Sequence, residues 1–478
     1  MNQLVGRQQE LDAISAKLTA VHAGRGGTLF LSGEAGIGKS ALARQLAEQA
    51  DDLSLSVYWG FCWEAGGAPA YWPWTQSLRS LVSDRTVELE QLAKLGQLLP
   101  ESAGVDTQPE LQPDQARFQL LEATRTLLDE ITRTQPVVLV IEDLHAADTD
   151  SLHLLQYLAR HAGTMPLLLV GTYRELEARQ SPTTDPLWQA TRDAQVLQLS
   201  RLDENSVREF LESSSGGHAD SERVRDLFTT TEGNPLFLNE LVGLIEQTGD
   251  GKLPETVQQV IKQQIDLLPE STASALAEAA VLGREFFIAA LSALRNQEDR
   301  VTEQELEAAL ATGLIHTVQP GRYRFSHVLH RDVLYQELGA VRRQELHVRS
   351  ARYIRQLIDA GDEDRWSVYA THLQAAGSDH RNDAIAAWEA SAARAHQRLA
   401  FDDTAQCLER ALDAFGEGPK FDPIARCKLQ LHYAMALLLA GNAEAGHQHC
   451  REVFATAQTL EDPVSVSYTH LTLPTITE

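Results

Sequence analysis

The first 200 residues predict an α/β fold, a parallel sheet with helices on both faces, and the remainder predicts a helix-rich region. Three observations lead there. Short apolar runs at 28–31 and 137–141 alternate with amphipathic helical stretches. Runs this apolar have no wet face, as expected of strands covered on both sides in a parallel sheet. A glycine-rich loop at 33–40 joins the first strand to a helix, and from about residue 201 helical spacing replaces strand signal.

In order, residues 10–21 place Leu11, Ile14, Leu18 and Val21 on one helical face, and Gly24-Arg25-Gly26-Gly27 ends that helix. The strand at 28–31 runs into the glycine loop, and a second helix covers 40–50. Further strands are expected at 55–59, 137–141, 167–172 and 196–199, with 100–113 a loop. In the helical half, 314–318, a Gln319-Pro320-Gly321 turn and Tyr323-Arg324-Phe325 read as a hairpin. Flanking helices make it a winged-helix-like unit. Beyond 384, Trp388, Ala392 and Ala395 precede a turn at Phe401-Asp402-Asp403, then Ala405, Leu408, Ala411 and Leu412. A similar unit runs from Ile424 through Gly441-Asn442 to Phe454. Small residues at helix crossings suggest a tetratricopeptide-like array. The expected division is an α/β core over 1–200, an all-α lid over 201–269, the winged-helix-like unit over 270–355 and helical repeats over 356–460.

A length of 478 residues suits about three domains. Net charge is −26, from 67 acidic and 41 basic residues. That field opposes non-specific binding to nucleic acid and to anionic membranes. Cys62, Cys407, Cys427 and Cys450 are scattered without a C-x-x-C pair, so neither a disulfide framework nor a zinc site is expected. No secretory signal opens the chain, no apolar run is long enough to span a membrane, and a cytoplasmic protein is the expectation. Residues 466–475 are β-prone and resemble the one-frame translation of a transposase adapter. A gene fragment with a non-native tail at 461–478 is therefore expected.

Gly33-Glu34-Ala35-Gly36-Ile37-Gly38-Lys39-Ser40 fits G-x-x-x-x-G-K-[ST] completely. In such a loop, glycines let the backbone curl so that N–H groups meet phosphate oxygens. Lys39, expected on a loop facing solvent and ligand, bridges the β- and γ-phosphates, the Ser40 hydroxyl ligates Mg²⁺, and the helix dipole points at the same anion. A P-loop NTPase core binding ATP or ADP with Mg²⁺ follows. The strand at 137–141 ends in Glu142 and Asp143, and such a strand is expected beside the phosphate loop. Glu142 is assigned to the metal and Asp143 to the attacking water, the reverse being the alternative. Arg174, ending the next strand, can sense the γ-phosphate, or is a surface arginine. His145 either orients water or caps Asp148. Tyr71-Trp72-Pro73-Trp74 reads as packing rather than a ligand cage.

Taken in order, several segments resemble STAND-class ATPases, switches related to AAA+ proteins. They are Val5-Gly6-Arg7 with Glu10-Leu11, the P-loop, Ile141-Glu142-Asp143-Leu144-His145, Thr172-Tyr173-Arg174 and Glu232-Gly233-Asn234-Pro235. Phe61-Cys62-Trp63-Glu64, Tyr71-Trp72-Pro73-Trp74 and Phe325-Ser326-His327-Val328-Leu329-His330-Arg331 are similar to the large ATP-binding LuxR-type regulators and cyclase-associated ATPase modules. The resemblance implies that Arg7 and Pro235 flank the adenine and that the winged helix closes over ADP. It also makes His327 and Arg331 candidates for sensing phosphate. Gln8 departs from the family's Gly-Arg-Glu, and His145-Ala146-Ala147-Asp148 departs from its His-Trp-Ala-Asp.

The expected function is an ATP-binding signalling switch with slow hydrolysis, the regulatory part of a LuxR-type regulator. An inducer or protein partner would sit at the repeats, with ATP-dependent self-association. Residues 301–360 carry eight Arg against seven Asp and Glu, too neutral for a strong phosphate footprint. Direct DNA binding is therefore not expected of this segment but of a C-terminal output domain beyond it, since the P-loop core begins almost at Met1. The alternatives are a mechanical AAA+ ATPase or loader and a module regulating a nucleotide cyclase.

Overall fold

A computed structural model describes residues 4–63, 68–85, 92, 94–99, 113–192, 194–215, 218–248, 256–415 and 422–460. The expected loop at 100–113 falls almost wholly outside them, as do Glu64 and the tail at 461–478. The chain folds into two compact units. The first takes in residues 1–65, 128–146 and 155–346; the second takes in 66–127, 147–154 and 347–478.

In the first unit, β1 (Gly27–Ser32), β2 (Ser56–Phe61), β3 (Val137–Glu142), β4 (Leu167–Tyr173) and β5 (Gln195–Gln198) form one sheet in the order β2-β3-β4-β1-β5. Every pairing is parallel. β3 and β4 are buried along their whole lengths, as their unbroken apolar runs require. One face rests on helices Gln8–His22 and Lys39–Asp52, where Leu29, Leu31, Val138, Val140, Leu168 and Val170 meet Ile14, Leu18, Leu42 and Leu46. Each such leucine contributes roughly 2 kcal/mol by leaving water. The short edge strand β5 is largely exposed.

β4 lies between β1 and β3. The carboxylate-bearing strand is therefore not beside the phosphate-loop strand. Both faces of β4 are apolar, so it takes the central place and brings its own C-terminal residues between the two motifs. In register, Ser32 pairs with Tyr173 and Ile141 with Gly171, so all three strands end at one edge. Open α/β sheets bind ligands at this edge.

After the sheet, helices Glu204–Ser215, Ser221–Thr231, Pro235–Thr248 and Val257–Asp266 close around Leu202, Val207, Leu227, Leu238 and Leu241. A three-stranded antiparallel sheet follows, ordered β6-β8-β7, from β6 (Glu285–Phe287), β7 (Ile315–Gln319) and β8 (Arg322–Phe325). It packs with helices Glu270–Leu282, Asp299–Ala311 and Val328–Glu337 around Phe286, Leu306, Ile315 and Phe325. The expected hairpin is present, turned at Gly321 with φ +76°, and β6 adds a third strand.

The second unit contains antiparallel helix pairs. Arg381–Gln397 packs on Phe401–Phe415, and Pro423–Leu439 on Ala443–Leu460, around Trp388, Ala392, Leu408, Ala411 and Leu429. Phe401-Asp402-Asp403, expected as a turn, is the first helical turn of Phe401–Phe415. The break comes earlier, at Arg398–Ala400, where Leu399 is left-handed at φ +60°. Two acids suit a helix N-terminus, and the side chain of Phe401 is fully buried. Tyr71 and Trp74 are buried, with the Trp74 indole N–H donating to the Ser151 carbonyl at 3.0 Å. They pack, as expected. Asp148 accepts from the backbone N–H of Ser151 at 2.7 Å.

Candidate functional site

The glycine loop owes its shape to the partners of its carbonyls. The Lys39 ammonium donates to the carbonyls of Gly33 and Glu34, each at 2.8 Å. Asn234 Nδ2 donates to Ala35 at 3.1 Å, and the Leu236 N–H donates to Gly36 at 3.2 Å. Arg7 Nη2 donates to Ile37 at 3.0 Å and to Ser200 at 2.7 Å. Five successive carbonyls are thus tied, two by Lys39 of the loop itself and three by residues outside it, which suits a loop whose N–H groups meet an anion. Gly36 has φ +75°, and a Cβ there would stand 2.8 Å from Leu236 Cβ. Gly38 is left-handed at φ +105° and opens helix Lys39–Asp52.

Arg7 and Pro235 therefore meet the loop by different routes. Arg7 is buried and bonds the loop directly, whereas Pro235 begins helix Pro235–Thr248 just after Asn234. Glu34 is half exposed and forms a two-pronged pair with Arg201 at 2.7 and 2.8 Å, which lowers its pKa. Lys39 does not face solvent, contrary to the sequence reading. It is buried, and desolvation, then Arg174, lower its pKa to about 8 against the pull of Asp143 and neighbouring glutamates.

Glu142 and Asp143 end β3 and are both buried. Burial first, then the charge of Asp143, pushes the Glu142 pKa up, while Arg324, Arg284 and the Ser40 hydroxyl oppose the shift. Glu142 Oε1 has no hydrogen-bond partner. An orphaned buried carboxylate oxygen beside Ser40 fits a hard cation, which takes oxygen ligands and completes its shell with phosphate and water. The donor set suits Mg²⁺ held by Ser40 and Glu142. Among the described residues no group of three or more His, Cys, Asp or Glu could hold a metal by itself.

Asp143 has a left-handed backbone at φ +61°, and its N–H donates to Thr172 Oγ1 at 3.0 Å. Although burial acts to raise its pKa, Arg284, His145 and Arg174 outweigh it and the value falls below the ordinary range. The Arg174 N–H donates to His145 Nδ1 at 3.4 Å, and Arg174 Nη1 lies 3.5 Å from Glu177. β4 thus delivers Arg174 to the same edge as the carboxylates.

Two arginines that sequence reasoning missed complete the site. Arg284 Nη1 donates to Asp143 Oδ2. Arg324 Nη1 lies 3.8 Å from Glu142 Oε2, its Nε donates to Glu285 Oε1 at 2.6 Å, and its guanidinium stacks 3.7 Å over Phe61. Both come from the small antiparallel sheet and its approach, and no local pattern marks either. His327 caps helix Val328–Glu337, accepting from the Leu329 N–H at 3.1 Å. Burial first, then His330, Arg284 and Arg174, holds its pKa well below the ordinary value. Arg331 donates instead to the Ala280 carbonyl at 3.0 Å and pairs with Asp332, which turns it away from a phosphate-sensing role.

An uncharacterized protein of Rhizobium meliloti (strain 1021) is 26% identical across 95% of this chain. The chain spans about half the length of that relative, 47% of it. Among solved structures, a STAND protein with a tetratricopeptide repeat sensor from Pyrococcus horikoshii has a TM-score of 0.52 at 14% identity. That likeness covers 98% of this chain and 66% of the other, and it speaks to fold. No helix among the described residues is long and apolar enough to cross a membrane. Residues 3–170 match the model of the AAA ATPase domain family, and both the loop and the carboxylate pair lie within the matched segment, on a P-loop NTPase fold.

Proposed function

We propose that the chain is an ATP-dependent switch, the regulatory part of a LuxR-type transcriptional regulator, with slow hydrolysis of ATP and water to ADP and phosphate. The observation that carries this reading is the Arg284–Asp143 contact, in which the small antiparallel unit holds the residue best placed to orient water. A carboxylate engaged by a guanidinium is a poor acceptor for a second proton donor. Turnover then depends on releasing Arg284, which suits a timer better than a motor.

In this scheme the loop N–H groups and Lys39 hold the β- and γ-phosphates, Arg7 and Pro235 flank the base, and Arg174 reads the γ-phosphate. Ser40 and Glu142 hold Mg²⁺, which neutralises phosphate charge when bound. Asp143, once free, orients water in line with the γ-phosphorus. An inducer or protein partner at the helical repeats, self-association with ATP, a cytoplasmic location and DNA binding through a separate output domain belong to the same proposal. The decisive experiment is single-turnover hydrolysis by Arg284→Gln. Faster cleavage of bound ATP supports the switch; equal or slower cleavage at saturating ATP refutes it.

A further inference from the structure

We propose that Asn234 is a positioning residue for the nucleotide, a brace that makes the shape of the phosphate loop depend on the place of helix Pro235–Thr248. The proposal rests on the reading of residues 33–40 as the nucleotide site. In the Glu232-Gly233-Asn234-Pro235 segment the family resemblance gives a role to the proline alone.

The Asn234 side chain works at both its ends. Its Oδ1 accepts from the backbone N–H groups of Leu236 at 3.0 Å and Phe237 at 3.3 Å, which caps the helix. Its Nδ2 donates to the Ala35 carbonyl at 3.1 Å, within the phosphate loop. One amide plane therefore spans the start of the helix and the middle of the loop. Turned over, it would offer an oxygen to a carbonyl and an NH₂ to two N–H groups, so both contacts fix the same orientation. Beside it, the Leu236 N–H also donates to the Gly36 carbonyl at 3.2 Å. The approach is close enough that a Cβ on Gly36 would stand 2.8 Å from Leu236 Cβ and 3.1 Å from Asn234 Oδ1.

The bracing segment is itself held. The Gly233 carbonyl accepts from the Leu202 N–H at 2.8 Å, and a Cβ on Gly233, at φ +74°, would fall 2.0 Å from the Leu202 oxygen. The Asn234 N–H donates to the Thr231 carbonyl at 2.9 Å. Arg201, bonded to Glu34 and to Glu232, adds a second tie between loop and segment. Its side chain is 40% exposed, so that tie contributes little.

In a planar trans peptide the carbonyl and the following N–H point in opposite directions. Holding the Ala35 carbonyl toward the helix therefore turns the Gly36 N–H away from it. Backbone N–H groups are what such a loop presents to phosphate. Without the brace the loop samples other shapes, and the fraction ready for phosphate falls with the apparent affinity. By reciprocity, a bound nucleotide holds the helix in place to the same extent.

Asn234→Ser separates the two jobs of the side chain. Serine caps a helix about as well as asparagine, but it is too short to cap and reach Ala35 at once. The free variant is expected to melt as the wild type does. Its affinity for ATP and for ADP, by titration calorimetry of the full chain, should fall roughly two- to tenfold, the effect of one hydrogen bond. In hydrogen exchange read by mass spectrometry, ATP should slow exchange over 235–248 in the wild type and less so in the variant. Unchanged nucleotide affinity in a folded Asn234→Ser variant would overturn the proposal. So would a wild type whose helix exchanges equally fast with and without bound ATP, a comparison that needs no variant. Binding of ATP by the wild type tests the nucleotide site, and its absence would overturn both readings. The ratio of variant to wild-type affinity tests the brace alone, so the two failures are distinguishable.

Discussion

Replacing Arg284 by Ala leaves Asp143 buried with its nearest countercharge gone. In the ion pair, the Asp143 side chain is 9% exposed and that of Arg284 21%. Breaking a buried pair by removing one partner costs about 3–5 kcal/mol. With a fifth of Arg284 in contact with water, the lower end applies, about 3 kcal/mol. At ~2–4 °C per kcal/mol for a unit of this size, the melting temperature of the first unit should fall by about 6–12 °C. The sign with pH follows from Asp143, whose folded pKa lies below its ordinary value. The pair's contribution is present above the ordinary carboxylate range and lost as pH falls through the folded value. The gap between wild type and variant should therefore close in acid. The assay is a double-mutant cycle of Arg284→Ala and Asp143→Asn by thermal melting at pH 7 and pH 3.5. A coupling of at least about 1 kcal/mol is expected at pH 7. Strictly additive losses would refute the reasoning.

Four further outcomes follow from the loop and the carboxylates. Lys39→Ala should lower ATP affinity by two orders of magnitude or more, on the scale of lost charge-assisted bonds, by titration calorimetry. In the wild type, affinity should fall up to about tenfold from pH 8 to 9 as the Lys39 ammonium, with its pKa near 8, loses its proton; a flat profile would contradict that. Gly36→Ala forces a Cβ against Leu236 at φ +75°, and should cost about 1–3 kcal/mol and abolish nucleotide binding; ordinary ATP binding by the variant would mean the loop is not held as described. Asp143→Asn should bind ATP and slow its cleavage, whereas Glu142→Gln should chiefly weaken Mg²⁺ dependence; exchanged phenotypes would reverse the two roles.

Much of the first unit was legible because its signals are local. Strands β1, β3 and β4 are apolar on both faces or end in a motif, and the loop 33–40 is a contiguous pattern whose chemistry is fixed by residue type. What escaped is tertiary. β6 has three residues, too few to show a period, and its Glu285 pairs with Arg324 some forty positions on. Arg284 and Arg324 reach the carboxylates only because the small sheet folds back over them, and nothing within ten residues of either announces it. The place of β4 between β1 and β3 is likewise a matter of topology. Lys39 was read as facing solvent because its role is to meet a ligand. In fact the ammonium lies against the carbonyls of its own loop, which desolvates it and lowers its pKa. At Phe401, two acids after an aromatic looked like a turn, but the same pair complements a helix dipole. Only the burial of Phe401 decides between the two.

The contact that stabilises the unit should also set the preference between nucleotides. Glu142 and Asp143 cannot give the same oxygens to Arg324 and Arg284 and to the metal and water of an ATP complex. If ATP engages the pair only after Arg284 lets go, the free energy of that contact is subtracted from ATP binding. A contact of about 3 kcal/mol corresponds to a factor on the order of 100 in affinity. ADP leaves no γ-phosphate for the water to attack and makes a smaller demand on Asp143, so its affinity should move less. Arg284→Ala is therefore expected to melt earlier than wild type and yet bind ATP more tightly relative to ADP, by up to about 100-fold. Loss of stability with gain of ligand selectivity is not what simple damage to a fold produces. Competitive titration of labelled ADP by ATP, at a temperature where the variant is fully folded, measures the ratio. A ratio equal to or below that of wild type would mean that Arg284 stays on Asp143 throughout the cycle and gates nothing.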